Sequence, residues 1–312
     1  MKRDFLAETD FSKKEIIETF KLARKLKKKV KKGEKHHLLR GKVLGMIFQK
    51  PSNRTRVSFE VGMYQLGGHA IYLGPAEIGL GTRESVADVA RVLARFTNGI
   101  MARVFGHDLV EGLAQWAPVP VINGLSDLLH PCQILGDLLT IIEHKGTFEG
   151  VRIAYVGDGN NIVNSFINVA GILPLDLRVA CPKGYEPNAE ILAAARAKAV
   201  SKIEVMRDPV EAVNGADVIY TDTWASMGQE AEAEARRKVF KRYQVNSKLL
   251  EHAARDYIFM HCLPAHRGEE VTDEVMGGPH SAVFDEAENR LHIQKDRQST
   301  RLNSSHIPLS RM

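Results

Sequence analysis

The chain has 312 residues, 44% of them hydrophobic and 26% charged, which is more than one hydrophobic core usually organises and points to two domains of roughly 150 residues each. No apolar run reaches the ~20 residues of a membrane span, and the amino terminus, MKRDFLAETDFSKKE, has no apolar stretch behind its two early positive charges, so neither a membrane nor a secreted protein is expected. Cys132, Cys181 and Cys262 are odd in number and widely spaced, which suits reduced thiols in the cytoplasm, and the formal charge of +5 is modest.

The excess positive charge is concentrated in residues 21–35. There Ser12 and Glu15 form a capping-box pattern, Ile16, Phe20, Ala23, Leu26 and Val30 recur at helical spacing, and Gly33 can stop the helix. The lysines fall on its outer face with no stacking aromatics between them, which predicts a solvated surface and no nucleic-acid partner. Residues 42–48 (KVLGMIF) then suit a buried strand, and Pro51 with Ser52 a helix start. Apolar runs at 70–73, 99–104 and 119–122 alternate with segments of helical periodicity such as 85–96, the pattern of a parallel α/β sheet. Residues 130–144 (HPCQILGDLLTIIEH) predict a long helix with Pro131 in its first turn. Beyond it, strand candidates at 151–156, 177–180, 202–205, 217–220 and 257–260 alternate with helices. The expected fold class is therefore α/β, two doubly wound parallel-sheet domains joined by long helices, with the boundary in or near residues 130–144. Solenoid-spaced repeats and low-complexity stretches are absent.

Five short stretches carry polar chemistry at strand ends. In Ser52-Asn53-Arg54-Thr55-Arg56, two guanidinium groups, two hydroxyls and the free N–H groups of a helix start converge as a phosphate dianion requires. Positive charge on a first turn otherwise opposes the helix dipole, and a bound anion removes that conflict. His130-Pro131-Cys132-Gln133 opens a second helix; alone, such a histidine reads equally as a cap or a hydrogen-bonded surface group. Gly157-Asp158-Gly159-Asn160-Asn161 begins like a dinucleotide fingerprint, but Ile162 stands where the third glycine belongs, so no nucleotide cofactor is expected and the asparagines could offer amides to a substrate carboxylate. Asp222, in DTWASMG, sits where α/β sheets place their sites, and could pair with a substrate ammonium or cap the next helix. His261-Cys262-Leu263-Pro264 follows the last strand. Although His261, Cys262 and His266 are metal-ligand types, a second cysteine cluster at zinc spacing is missing and no metal is expected. A thiol near cationic groups would be partly thiolate, whereas a buried one would be inert.

Together these stretches resemble the aspartate/ornithine transcarbamylase family, and within it the ornithine branch, from Lys2 to Lys295. The resemblance implies an enzyme without cofactor or metal that passes the carbamoyl group of carbamoyl phosphate to the δ-amine of L-ornithine, giving L-citrulline and phosphate; aspartate, putrescine or N-acylornithine are the alternative acceptors. It assigns Ser52, Asn53, Arg54, Thr55 and Arg56 to the phosphate, with Asn53 standing where the family has a threonine. It assigns Arg103, His130 and Gln133 to the carbamoyl end, where donors polarise the carbonyl. Cys262 and Leu263 are placed between the substrates, and Arg290 is a further phosphate or carbamoyl contact. Asn161, Asp222, Ser226 and Met227 fall to ornithine, and Arg103, His130, Asp222 and Cys262 to catalysis. The same resemblance implies a carbamoyl phosphate-binding domain at 1–135, an ornithine-binding domain at 136–290, and a carboxyl-terminal segment at 291–312. A cytoplasmic homotrimer, or a multiple of one, is expected.

Two departures from the family stand out. Gly79 occupies a position where many relatives carry a glutamine or histidine that reaches the neighbouring subunit's phosphate site, so either backbone donors or Arg83 substitute or carbamoyl phosphate binds more weakly. From residue 296 the tail, DRQSTRLNSSHIPLSRM, is polar and lacks helical periodicity where relatives continue an apolar helix, which predicts a foreign or frame-shifted ending, no helix there, and an uncovered apolar groove on the first domain that lowers stability and leaves the chemistry unchanged.

Overall fold

A computed structural model describes residues 2–225 and 230–302, and the chain divides into two compact units, Met1–Cys132 with the chain from Arg290 onward, and Gln133–Asn289. The first opens with α1 (Lys13–Lys31), capped as its sequence predicts: the Ser12 hydroxyl accepts from the Glu15 N–H, and Glu15 returns a bond to the Ser12 N–H at 3.0 Å. Its apolar stripe, Ile16, Phe20, Ala23 and Leu26, is buried. There follow β1 (Val43–Phe48), α2 (Asn53–Gln65), β2 (His69–Leu73), α3 (Pro75–Ile78), α4 (Val86–Phe96), β3 (Gly99–Arg103), α5 (His107–Trp116), β4 (Val121–Leu125) and α6 (Pro131–Lys145). The strands form one parallel sheet in the order β2-β1-β3-β4.

Successive strands leave β1 first toward β2 and then toward β3, so the topological switch point lies between β1 and β3, where Phe48 pairs with Arg103. The fourth strand runs further than expected, through Asn123 and Gly124, which read as a turn. The amino-terminal segment accounts for this: Phe5 N–H donates to the Val121 carbonyl and Asn123 N–H to the Phe5 carbonyl, both at 2.8 Å, while Asn123 Nδ2 donates to the Leu6 carbonyl at 2.9 Å. Those bonds satisfy the Asn123 main-chain N–H and side-chain amide N–H at a buried strand end.

The second unit continues from α6 through β5 (Arg152–Val156), α7 (Asn161–Ala170), β6 (Asp176–Ala180), α8 (Ala189–Ala197), β7 (Lys202–Met206), α9 (Pro209–Val213), β8 (Val218–Thr221), α10 (Ala233–Phe240), α11 (Ser247–Leu250), β9 (Ile258–His261) and α12 (Asp273–Met276) to α13 (Val283–Leu302). Its five strands are parallel in the order β7-β6-β5-β8-β9, and the switch point lies between β5 and β8. Burial on both faces explains why strands such as IAYV and VIY read as unbroken apolar runs. Among the described residues no helix is long and apolar enough to cross a membrane.

The tail departs from expectation. Helix α13 runs on to Leu302 and buries residues 296–299, 301 and 302 within the first unit, so a polar helix occupies the place where an uncovered groove was expected. Cationic stacking and side-chain bonds substitute for an apolar stripe: Arg297 and Arg301 lie over the Phe11 ring at 4.4 and 4.3 Å, Lys295 Nζ donates to Gln65 Oε1 at 2.9 Å, and Gln298 Nε2 donates to the Phe59 carbonyl at 3.0 Å. Satisfaction is incomplete, because Gln294, Arg297 Nε and Nη1, and Gln298 Oε1 are buried without hydrogen-bond partners among the described residues. The remaining tail, 303–312, lies outside the described residues.

Candidate active site

In the first unit the loop after β1 leads into α2, whose N-cap is Ser52; its hydroxyl accepts from the Thr55 N–H at 3.3 Å. Thr55 is fully buried, and its hydroxyl oxygen accepts from Arg290 Nη2 at 2.9 Å and Arg103 Nη1 at 3.4 Å. Arg103 ends β3, across the switch point from β1, and Arg290 arrives on α13. His130, buried just before α6, completes the group. Burial first, then the positive charges of Arg290, Arg103 and Arg54, hold its imidazole well below the ordinary histidine range, so it stays neutral. Three guanidinium groups, a hydroxyl, a neutral imidazole and the N-terminus of a thirteen-residue helix thus meet at one sheet end.

Two expected members stand apart. Arg56 is exposed, its Nε bonded to Glu60 Oε1 at 2.9 Å and its guanidinium 4.0 Å over the Tyr72 ring; Asn53 is exposed at the first position of α2. Sequence reasoning missed two residues beside them. Lys50 is buried with its ammonium 4.1 Å over the Phe105 ring, and Gln49 accepts from the Phe105 N–H at 2.9 Å while donating to the Leu80 carbonyl at 3.2 Å. Their signal was position, since polar side chains directly after a buried strand sit where such sheets place their sites.

At Gly79 the backbone accounts for the missing side chain. It caps α3 in the left-handed region at φ +52°, and a Cβ there would lie 2.7 Å from Arg83 Cβ. Arg83 is exposed and spends its guanidinium on the Glu77 carbonyl.

In the second unit the polar groups gather at the other switch point. Thr221 Oγ1 donates to the Val156 carbonyl at 2.6 Å, stitching β8 to β5, and Asn160 Nδ2 donates to Asp222 Oδ2 at 2.7 Å across the same gap. Asn160 also caps α7, while Asn161, the expected carboxylate ligand, is its first residue. The glycine pair before them serves packing: a Cβ on Gly159 would lie 2.2 Å from the Glu186 carbonyl carbon. Asp158 is buried against Arg236 at 3.0 Å, and Arg236 Nη1 also donates to the Trp224 carbonyl at 2.9 Å. Burial pushes the Asp158 carboxyl up to about 6, the neighbouring guanidinium offsetting only part of that penalty.

Of the two readings open for the thiol, the geometry supports the inert one. Cys262 Sγ donates to Asp222 Oδ1 at 3.0 Å; burial first, then the negative charges of Asp222, Glu286 and Asp137, push it well above the ordinary thiol range. Its neighbours are carboxylates, so it is a protonated donor and not a thiolate. Leu263 follows with φ +59°, its N–H held by His261 Nδ1 at 2.9 Å, while His261 Nε2 faces Glu270 at 3.2 Å. Asp222, His261 and Cys262 bring ligand atoms within 4.8 Å, each already engaged as described. Ser226 and Met227 lie outside the described residues. Gln133, in the first turn of α6, is buried, with Nε2 donating to Asp137 Oδ1 at 2.8 Å and to Glu286 Oε1 at 3.0 Å.

Family models match both units: "Aspartate/ornithine carbamoyltransferase, carbamoyl-P binding domain" over residues 3–143 and "Aspartate/ornithine carbamoyltransferase, Asp/Orn binding domain" over residues 149–296. The chain belongs to the aspartate/ornithine carbamoyltransferase family. This carbamoyltransferase is 56% identical over 295 residues to an ornithine carbamoyltransferase of Syntrophus aciditrophicus, covering 95% of this chain and 98% of that one. It is also 56% identical to an anabolic ornithine carbamoyltransferase of Pyrococcus furiosus, covering 94% of each. A solved structure of ornithine carbamoyltransferase from Pyrococcus furiosus superposes with a TM-score of 0.93 at 53% identity, covering 97% of this carbamoyltransferase and 98% of that chain.

Proposed function

We infer that this carbamoyltransferase moves the carbamoyl group of carbamoyl phosphate to the δ-amine of L-ornithine, releasing L-citrulline and phosphate. The observation that carries the reading is the buried Thr55 hydroxyl, held by Arg103 and Arg290 beside a neutral His130, which suits a small dianion with a carbonyl attached. In this reading the first unit takes carbamoyl phosphate, with Ser52, Arg54, Thr55 and the Asn53 backbone N–H as phosphate contacts, while Arg56 joins them only on leaving Glu60. The second takes ornithine, with Asp222, Asn161, Ser226 and Met227 as its acceptor-side residues.

The neutral δ-amine attacks the carbamoyl carbon, a C–N bond forms, and the carbonyl oxygen gains negative charge. The C–O bond to phosphate then breaks as the oxyanion collapses, and the proton of the new C–N nitrogen passes to the departing phosphate. Arg103, the Thr55 hydroxyl and an N–H of neutral His130 support the oxyanion, and the arginines take the phosphate charge. Because both hydrogens of the Gln133 amide are committed to carboxyl groups, Gln133 serves the carbamoyl group as an acceptor for its N–H through Oε1. Asp222, accepting from the Cys262 thiol and the Asn160 amide, holds the amine end of ornithine without an adjacent thiolate.

The kinship with an anabolic relative favours the biosynthetic direction. A cytoplasmic homotrimer, or a multiple of one, fits the family resemblance. The test is a colorimetric ureido assay with carbamoyl phosphate and, in turn, ornithine, putrescine, N-acetylornithine and aspartate. Ornithine should be preferred by at least a hundredfold in kcat/KM, and equal or better use of another acceptor refutes the assignment.

A further inference from the structure

Asp137, one turn beyond Gln133 on α6, and Glu286, in the first turn of α13, are both buried. The Tyr220 hydroxyl from β8 lies 3.0 Å from Asp137 Oδ2 and 3.1 Å from Glu286 Oε1. A tyrosine hydroxyl has a single hydrogen, so it can donate to only one of these oxygens. The other contact must be donated by a carboxyl group, and the pair therefore carries a proton. The groups facing it are mostly donors or further acids: the His261 N–H bonds Glu286 Oε2 at 2.9 Å, and Asp222 with the Cys262 thiol stands at the ends of β8 and β9. Burial and the charge of Asp137 push Glu286 well up, which places the proton on that side chain at neutral pH.

The amide of Gln133 reads this arrangement. Its two hydrogens go to the two acids, and its Oε1 is buried with no hydrogen-bond partner among the described residues. A flipped amide would set a carbonyl oxygen against two carboxyl groups and turn two donors outward. We propose that Asp137 and Glu286, sharing one proton through Tyr220, are positioning residues that fix the Gln133 amide with its oxygen toward the carbamoyl N–H and thereby align the donor substrate. The proposal rests on the reading of Gln133 as the acceptor for that group.

Asparagine at position 137 supplies in permanent form what the shared proton supplies: its Oδ1 accepts from Gln133, its Nδ2 donates to the Tyr220 oxygen, and the Tyr220 hydroxyl donates to an ionised Glu286. The experiment compares Asp137→Ala, Asp137→Asn, Gln133→Ala and the double alanine variant of the full chain, with steady-state kinetics in both substrates and melting temperature from pH 6 to 9. Asp137→Ala should lower kcat/KM for carbamoyl phosphate about tenfold, the worth of one hydrogen bond, with the ornithine KM within twofold of native. Asp137→Asn should recover most of that loss, and the double variant should be no worse than Gln133→Ala alone. A folded state that binds the proton more tightly than the unfolded chain loses stability as pH rises, so the native protein should weaken toward pH 9 more than Asp137→Asn does. Losses that multiply in the double variant, or an Asp137→Asn as impaired as Asp137→Ala, overturn the proposal. Should the alanine variant fail to fold, an unchanged alkaline slope in Asp137→Asn overturns it alone. A Gln133→Ala with native carbamoyl phosphate kinetics refutes the Gln133 assignment itself, and the proposal with it.

Discussion

Arg236 holds the carbonyl of Trp224, two residues beyond Asp222, and the buried carboxyl of Asp158, so Arg236→Ala removes an anchor of the acceptor side without touching Asp222. The magnitude follows from what each partner loses. Asp158 titrates near 6 in the folded protein against 3.8 in the unfolded chain, so folding is favoured by acid: this contribution is complete below pH 4 and has been lost by about pH 6. At about 1.4 kcal/mol per pH unit the native protein already bears a penalty of about 3 kcal/mol from this carboxyl at neutral pH. Without Arg236 the carboxyl need not stay charged, because it can take a proton. The added cost at pH 7 is then confined to the interval between 6 and 7, about 1.4 kcal/mol, well below the loss usual for breaking a buried ion pair. The Trp224 carbonyl, left without its donor, adds about 1–3 kcal/mol. The expected destabilisation is about 2–4 kcal/mol at pH 7, shrinking by roughly 1.4 kcal/mol at pH 5, where Asp158 is protonated in both proteins. Urea unfolding at the two pH values measures it, and parallel kinetics should show the ornithine KM rising while that of carbamoyl phosphate holds. A deficit that is the same or larger at pH 5, or one that falls equally on both substrates, refutes this account.

Thr55→Val should lower kcat/KM for carbamoyl phosphate by about 10- to 100-fold, since it removes the acceptor shared by two guanidinium groups, while Thr55→Ser keeps most activity; steady-state kinetics decide. Cys262, a half-buried thiol among carboxylates, should resist iodoacetamide at pH 7 as the unliganded enzyme; alkylation on the time scale of free cysteine, followed by mass spectrometry, contradicts its protonated state. Replacing Arg297 with leucine should lower stability by about 3–5 kcal/mol, because the buried Asp296 carboxylate loses its ion-pair partner, and an unchanged or higher melting temperature shows that the desolvation of Nε and Nη1, buried without partners, outweighs that pair.

The two parallel sheets were legible in the sequence because their strands are buried on both faces and read as short apolar runs. Their ends were less so: residues such as Asn123 extend a strand only because the distant Phe5 and Leu6 supply partners. Terminal helix residues 296–302 were illegible for a related reason, since their burial rests on aromatic rings and carbonyls from far upstream and not on any apolar period. In the site, the stretch proposed to bind the anion stood out because its arginines oppose a helix dipole. Which arginine turns away was also readable in hindsight, because Glu60 stands four residues after Arg56. The charge state of Cys262 was not, as it depends on Asp137, Asp222 and Glu286, brought together only by the fold. An acid at position 137, within an otherwise apolar helical stretch, was the one local sign of that buried network.

The division of the chain inside α6 and again inside α13 sets an order for biogenesis. Gln133–Asn289 is a single continuous stretch and can close upon itself as soon as it leaves the ribosome, whereas the unit begun first lacks Arg290 and the helix around it until the other unit has been made. The nascent amino-terminal half must therefore wait, its guanidinium trio incomplete, until the intervening unit has emerged.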